Sequence, residues 1–290
     1  MYQGILIYKK SDALHNRSYI DCYLSKAPLF HLKITLVYQE QLLPAVTEEG
    51  FVLYDTQGEK IETDFAINRT RDADLGYHLE AMGILVFNCA RVTELGNDKW
   101  KMYQFVKKCT TLPGIPTVLL PQDLSDAKAW LGKKEWIIKA VSGHGGSQVF
   151  CYPNEEFSSI IKGMADDRAV LQPRIKGIPK DVRVYIVGGK IIAAILRIGE
   201  KEGWRSNYSL GGKSMVYDLT EEQKAMVCQL TDRLKLDMAG IDFIIDEDEN
   251  WYFNEMEDMA GARMLYKNTD IDIVALYLGH IASQIDIWYH

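Results

Sequence analysis

Residues 239–261 read AGIDFIIDEDENWYFNEMEDMAG. Two apolar runs, 241–245 and 251–253, flank an acidic stretch, which is the pattern of a β-hairpin. Carboxylates interrupt that pattern where a strand prefers apolar side chains: Asp242 sits inside the first run, and Glu255 and Glu257 follow the second. With the turn at residues 247–250, Asp242 falls opposite Glu255, and Glu257 shares a face with Glu255. Three negative charges on one face repel one another unless a cation neutralises them. Hard oxygen ligands of this kind suit magnesium, which is usually bound by one or two carboxylates together with substrate phosphates. The other reading is a solvated acidic hairpin. It suffices for Asp246, Glu247, Asp248 and Glu249, which form the turn; for Asp242, Glu255 and Glu257 both readings stand at this point.

Outward from the hairpin, residues 181–196 read DVRVYIV–GG–KIIAAIL, two strands joined by Gly188-Gly189, a strong short hairpin signal. Asp181 and Arg183 lie on the first of them, and Trp204-Arg205-Ser206-Asn207 form a polar loop beyond the second. Arginines suit phosphate or carboxylate through bidentate pairing, although each alone fits a surface or ion-pair role. Gly211-Gly212 mark another loop, Thr220-x-x-Gln223 is a capping box opening a helix to about residue 236, and a last helix is expected near 270–284.

Upstream, Lys139 ends the apolar strand 136–138 and precedes the loop VSGHGGS at 141–147. Glycines such as Gly143, Gly145 and Gly146 let backbone N–H groups approach an anion, and a lysine at the edge adds a point charge. The lysine precedes the glycines and a strand follows, so this is no Walker A loop. The bland alternative is a glycine-rich hairpin tip. Asn97 or Asp98 caps a helix to about residue 108; short helices are expected near 125–131 and 155–164, and strands at 118–120 and 171–175. Residues 1–95 alternate strands (5–8, 32–38, 64–69, 84–87) with helices (12–28, 72–82), which predicts a small parallel α/β layer. No G-x-G-x-x-G follows its first strand, which argues against a dinucleotide site.

Composition narrows the class. The chain has 290 residues, 47% hydrophobic and 25% charged, as in ordinary globular proteins of two or three subdomains. A net charge of −7 leaves no polybasic footprint for nucleic acid or anionic membranes. No apolar run is long enough to span a bilayer, and the apolar stretch of MYQGILIYKKSDAL is too short for a signal peptide. Five scattered cysteines, none spaced C-x-x-C, point to reduced thiols and a cytoplasmic setting, and no histidine pair has metal-ligand spacing.

The order of these parts matters: a lysine with a glycine-rich flap, then arginines on a β region, then a three-carboxylate hairpin. They are complementary pieces of a nucleoside triphosphate–magnesium site. The runs DVRVYIVGGKIIAAILR, WRSNYSLGG, LDMAGIDFI and FNEMEDMAG resemble the ATP-grasp superfamily, and within it RimK-type carboxylate–amine ligases. The resemblance spans roughly residues 64–284 and is most specific in the C-terminal part. It implies an α/β (α+β) ATP-grasp fold: an N-terminal domain at 1–95, a small subdomain with the flap at 96–175, and a large subdomain with the magnesium site at 176–290. It also implies ATP-driven amide formation through an acyl phosphate, from amino-acid or peptide substrates, in an enzyme of this type that forms homo-oligomers. By the same resemblance Lys99, Lys139 and the glycines of the flap hold the nucleotide, Gln172 sits in the adenine-side hinge, and Asp181 and Arg183 lie near ribose and phosphate. Arg205 and Asn207 would stabilise the transferring phosphoryl and acyl phosphate, while Asp242, Glu255 and Glu257 ligate two Mg2+ ions, with Mn2+ as a substitute. Arg69 and Arg263 are expected as substrate-carboxylate binders or plain surface arginines. Three positions depart from the family: Glu257 replaces a usual Asn, Pro173 replaces an acid, and Met259-Ala260-Gly261 replaces Ser-Pro-Gly. A nucleotide-binding regulator without ligase activity is the competing expectation. A kinase-like phosphotransferase ranks last, for want of an Asp–Asn catalytic loop.

Overall fold

The computed structural model describes residues 1–120, 135–144, 148–152, 168–199 and 213–289. Its N-terminal part begins with β1 (Tyr2–Tyr8), α1 (Lys10–His15), α2 (Arg17–Lys26) and β2 (Leu32–Tyr38). A hairpin of β3 (Leu42–Thr47) and β4 (Gly50–Asp55) precedes β5 (Phe65–Asn68), α3 (Ala73–Ala81) and β6 (Leu85–Phe87). One parallel sheet has the order β2-β1-β5-β6. β5 is buried along its whole length, as expected of a strand covered on both faces. The helix expected over 12–28 is broken at Asn16, whose side-chain amide donates to the Asp12 carbonyl at 2.7 Å. The β3–β4 hairpin went unread in the sequence. Its signal is the apolar run LLPAVT and the run FVLY at 51–54 on either side of a short turn ending at Gly50, which adopts φ 120°.

Next come α4 (Ala90–Gly96) and α5 (Lys99–Cys109). Asp98 caps α5, accepting from the Lys101 N–H at 2.8 Å. β7 (Val118–Leu119), β8 (Trp136–Ala140), β9 (Val149–Tyr152) and β10 (Ala169–Pro173) form an antiparallel sheet in the order β7-β10-β8-β9. β10 ends at Pro173, two residues before the expected end; proline brings no N–H to the ladder.

The third sheet positions the site. It contains β11 (Lys180–Val187), β12 (Lys190–Ile198), β13 (Lys213–Val216), β14 (Met238–Ile245) and β15 (Trp251–Glu257), in the antiparallel order β13-β12-β11-β14-β15. Gly188 and Gly189, at φ 57° and 73°, make the tight turn between β11 and β12. α6 (Glu221–Thr231) starts at the Thr220–Gln223 capping box, and α7 (Arg263–Asn268) and α8 (Ile273–Tyr289) close the chain. One face of this sheet buries Val182, Val184, Ile241, Phe243 and Phe253 against α4, α5 and α6. Tyr185, Ile195 and Met238 join a second core with α8 and the N-terminal sheet. Each such side chain contributes about 1.5–3 kcal/mol by leaving water. All five cysteines are free thiols. Among the described residues no helix is long and apolar enough to cross a membrane.

Candidate active site

Asp242 on β14 faces Glu255 on β15, as expected, but only by way of a bulge: the pairing of Ile245 with Trp251 next to the turn would, in an unbroken ladder, set Asp242 against Asn254. The pairing runs Gly240–Glu257, Ile241–Met256, Asp242–Glu255, then Phe243–Phe253, so Asn254 is an extra residue in β15. That bulge decides which way the acids point. In an unbroken strand Phe253, Glu255 and Glu257 would share one face. With it, Trp251, Phe253 and Met256 turn to the core, while Glu255 and Glu257 join Asp242 on the opposite face. The three carboxylates can bring oxygens within 4.8 Å of one another.

β11 supplies the counter-charges. Arg183 lies directly across from Asp242 in the ladder. Its Nε donates to Asp242 Oδ1 at 2.8 Å and its Nη2 to Oδ2 at 2.7 Å; Nη2 also lies 2.7 Å from Glu257. Arg197 on β12 is bonded to Asp181 and donates to Asp242 Oδ2 at 2.6 Å. Burial pushes Asp242 up, but Arg183 and Arg197 outweigh it and hold its carboxyl at about 2. Burial raises Glu257, with Asp242 and Glu255 adding to the rise against the pull of Arg183. Gly240 makes this packing feasible: a Cβ there would stand 3.0 Å from Ala260 Cβ and 3.4 Å from Arg183 Cδ.

Two lysines face the acids from the other side of a cleft. Lys139, on β8, donates to Asn254 Oδ1 at 2.8 Å. Burial lowers its ammonium to about 8; Glu255 opposes that shift and Lys99 adds to it. Lys99, at the start of α5, donates to the Gly143 carbonyl and lies 3.9 Å from Glu255 Oε2. Gln172, Pro173 and residues 174–181 complete the cleft wall. Gln172 is buried; its amide donates to Thr117 Oγ1 at 2.9 Å, and its carbonyl oxygen has no hydrogen-bond partner among the described residues.

The cleft wall therefore carries Asp181 and Glu255 with Lys99, Lys139 and Arg197, and behind it Asp242 and Glu257 pair with Arg183. Repulsion among the acids alone does not demand a metal, because arginines already balance them. The donor set is what fits one. Glu255 is half-buried on the cleft, its one ion-pair partner among the described residues is Lys99, and hard carboxylate oxygens converge with it. The unpartnered Gln172 oxygen and the buried Lys139 fit a nucleotide's base and phosphates in the same cleft.

A family model, the RimK-like ATP-grasp domain, matches residues 96–281. The chain belongs to the RimK-like ATP-grasp family. Two relatives are probable alpha-L-glutamate ligases. The one from Histophilus somni strain 129Pt is 30% identical, covering 71% of this chain and 70% of the relative. The one from Parasynechococcus marenigrum is 28% identical over 71% of this chain, which spans 45% of that relative's length. Among solved structures, the ATP-grasp ligase PsnB, complexed with a phosphomimetic variant of its minimal precursor, Mg and ADP, superposes with a TM-score of 0.67 at 14% identity, covering 98% and 99% of the two chains. Family and fold are those of ATP-dependent ligases that form C–N bonds, and the chain is an enzyme of that class.

Within this RimK-like ATP-grasp site, the structure brings together Lys99, Lys139, Gly143, Gln172, Asp181, Arg183, Asp242, Glu255 and Glu257. Arg183 meets the carboxylates rather than the open cleft. Gly145, Gly146, Arg205, Asn207, the 211–212 loop and the helices expected near 125–131 and 155–164 lie outside the described residues. Two residues were missed. Arg197 closes the run DVRVYIVGGKIIAAILR, but a register shift between Tyr185 and Ile186 sets it opposite Asp181, where counting back from the Gly188-Gly189 turn would have placed Leu196. Asn254 could not be found by counting either, because its role depends on the bulge. Arg69 is buried, with its guanidinium 5.7 Å from the Tyr19 ring centre and 3.4 Å from the Met259 carbonyl, and Arg263 is exposed at the start of α7.

Proposed function

We propose that the protein joins a carboxylate to an amine by way of an acyl phosphate, with Asp242, Glu255 and Glu257 as the magnesium ligands and Lys99 and Lys139 as phosphate-binding lysines. A substrate carboxylate oxygen attacks the γ-phosphorus of ATP, and the bond to the β-bridging oxygen breaks to release ADP. The amine nitrogen then attacks the acyl carbon, the bond to the phosphate oxygen breaks, and the amine gives up a proton as phosphate leaves. Magnesium, when bound, neutralises phosphate charge in the transition state. Lys139, anchored by Asn254, and Lys99, anchored by Gly143, hold the transferring end of ATP. Gln172 and the hinge after it hold the adenine. Arg183 and Arg197 keep the acids in place before the ion arrives. Arg205 and Asn207 keep the roles the family resemblance gives them. The three-part division at 96 and 176, two magnesium ions and a cytoplasmic location belong to the same proposal.

The observation that carries it is the meeting of three carboxylates and two lysines, from elements over a hundred residues apart, across one cleft. The substrate class follows the glutamate named in the two relatives: an amino acid or peptide carrying carboxylates. Phosphate release from ATP and magnesium, with L-glutamate and a panel of amine acceptors, is the test. Wild type turns over and Glu255→Gln does not; near-normal rates in that variant would remove the metal assignment.

A further inference from the structure

A second cavity, of about 460 Å³, lies beside the nucleotide cleft and shares none of its wall. Lys9, Gln39, Thr70 and Arg71 line it from the N-terminal sheet, and Asn97 and Lys101 from α4 and α5. Its place in the topology is informative. Lys9 follows β1, Gln39 follows β2, and Thr70 and Arg71 follow β5, all at the carboxyl ends of parallel strands. In the order β2-β1-β5-β6, the chain leaves β1 on one side and returns on the other, so β1 and β5 border the topological switch point. Open α/β sheets bind ligands in that crevice.

The charges around the cavity are unequally satisfied. Asp72 accepts from the Leu75 N–H at 2.9 Å and from Gln39 Nε2 at 2.6 Å. Glu94 takes Lys101 at 2.7 Å, Arg91 at 2.7 Å and Tyr77 at 3.0 Å. Lys9 and Arg71 have no side-chain ion pair or hydrogen bond among the described residues. Of the acids lining the cavity, Asp74 alone lacks such a bond, and it is exposed. Arg71 is also held at φ 63°, a left-handed conformation that a side chain with a Cβ adopts at a cost. The start of α5 joins the two spaces: Lys99 lines the reaction cleft and Lys101, two residues on, lines this cavity.

We propose that Lys9 and Arg71 form the subsite for a non-reacting carboxylate of the substrate, making the enzyme selective for acidic amino acids or for peptides with acidic side chains. This rests on the ligase reading above, and it adds the residues that choose the substrate. A carboxylate in the cavity would pair with two cations that the fold otherwise leaves unpaired.

The test is calorimetry on the full chain loaded with magnesium and a non-hydrolysable ATP analogue. Nucleotide binding is measured first; its absence would remove the ligase reading itself. L-glutamate, L-glutamine, a tetraglutamate peptide and a tetraglutamine peptide are then titrated into wild type, Lys9→Gln, Arg71→Gln and Arg71→Lys. The expected result is binding of an acidic probe at least tenfold tighter than its amide partner. That preference falls about tenfold in Lys9→Gln and Arg71→Gln and is partly restored in Arg71→Lys, with nucleotide affinity unchanged. Glutamate binding alone identifies a free amino acid as substrate, and tetraglutamate binding alone a peptide. If nucleotide binds but neither acid does, or if acid and amide bind alike, or if the two Gln variants keep the wild-type preference, the inference is overturned while the ligase reading stands. Both side chains are exposed, and matching melting curves would establish that the variants fold.

Discussion

Asp242 carries two arginines and, in the proposed reaction, a share of a magnesium ion, and both demands fall on the same two oxygens. Removing its charge leaves buried guanidinium groups under-compensated. Asp242→Asn is therefore expected to lose about 3–5 kcal/mol in urea unfolding as well as turnover. The sign of the pH dependence follows from the depressed carboxyl. With an unfolded value near 3.9, Asp242 stabilises the fold above that pH, and the contribution drains away as pH falls towards about 2. Glu255 is different: it is half-buried and holds no arginine, so Glu255→Gln should leave stability within about 0.5 kcal/mol and cut turnover by about 10²-fold or more. Lys139, lowered to about 8, loses its charge as pH rises through that value, while phosphate binding requires the charge. ATP binding at pH 8.5 should take up protons and weaken with rising pH, which calorimetry in buffers of different ionisation heat would register.

At the scale of elements, the sheet works as rows of alternating charge. β12, β11, β14 and β15 bring Arg197, Asp181, Arg183, Asp242 and Glu255 into register, so neighbouring strands supply each other's counter-ions. Gly240 holds the space where the Arg183 stem passes Ala260. Gly240→Ala should cost about 1–3 kcal/mol by overpacking, with lowered affinity for magnesium–ATP as Arg183 and the acids shift. Asn88 fastens the same hairpin from outside: its amide donates to the Met238 and Asp258 carbonyls at 2.6 and 3.0 Å, and its oxygen accepts from the Asp237 and Met238 N–H groups. Elements with strong local signals were legible. The Gly188-Gly189 hairpin, the Thr220 capping box and the Asp98-capped helix sit where the residues place them. The β3–β4 hairpin, α4, β13 and α7 went unread, being short and carrying weak periodicity.

Across the whole molecule, two antiparallel sheets and the start of α5 enclose the cleft, and side chains from residues 99 to 257 must converge for the site to exist. A nucleotide that binds only the folded chain stabilises it by mass action. At a hundredfold excess over its Kd, magnesium–ATP should add about 2.7 kcal/mol, or about 4–5 °C in Tm, and chelation of the metal should remove most of that gain in a thermal melt.

Local chemistry written along the chain determined the strand and helix pattern, the turn glycines, the caps and the hairpin that carries Asp242, Glu255 and Glu257, because each depends on residues a few positions apart. The tertiary structure alone decided the partners. Lys139 meets Asn254, Arg197 reaches Asp242, and Lys9 and Arg71 line one cavity. Periodicity tells which face a side chain takes, not what stands opposite. The Asn254 bulge shows the limit within a single strand: one extra residue reverses the alternation, turning Phe253 to the core and Glu255 to the cleft, and the packing of Phe253 against Phe243 selects it.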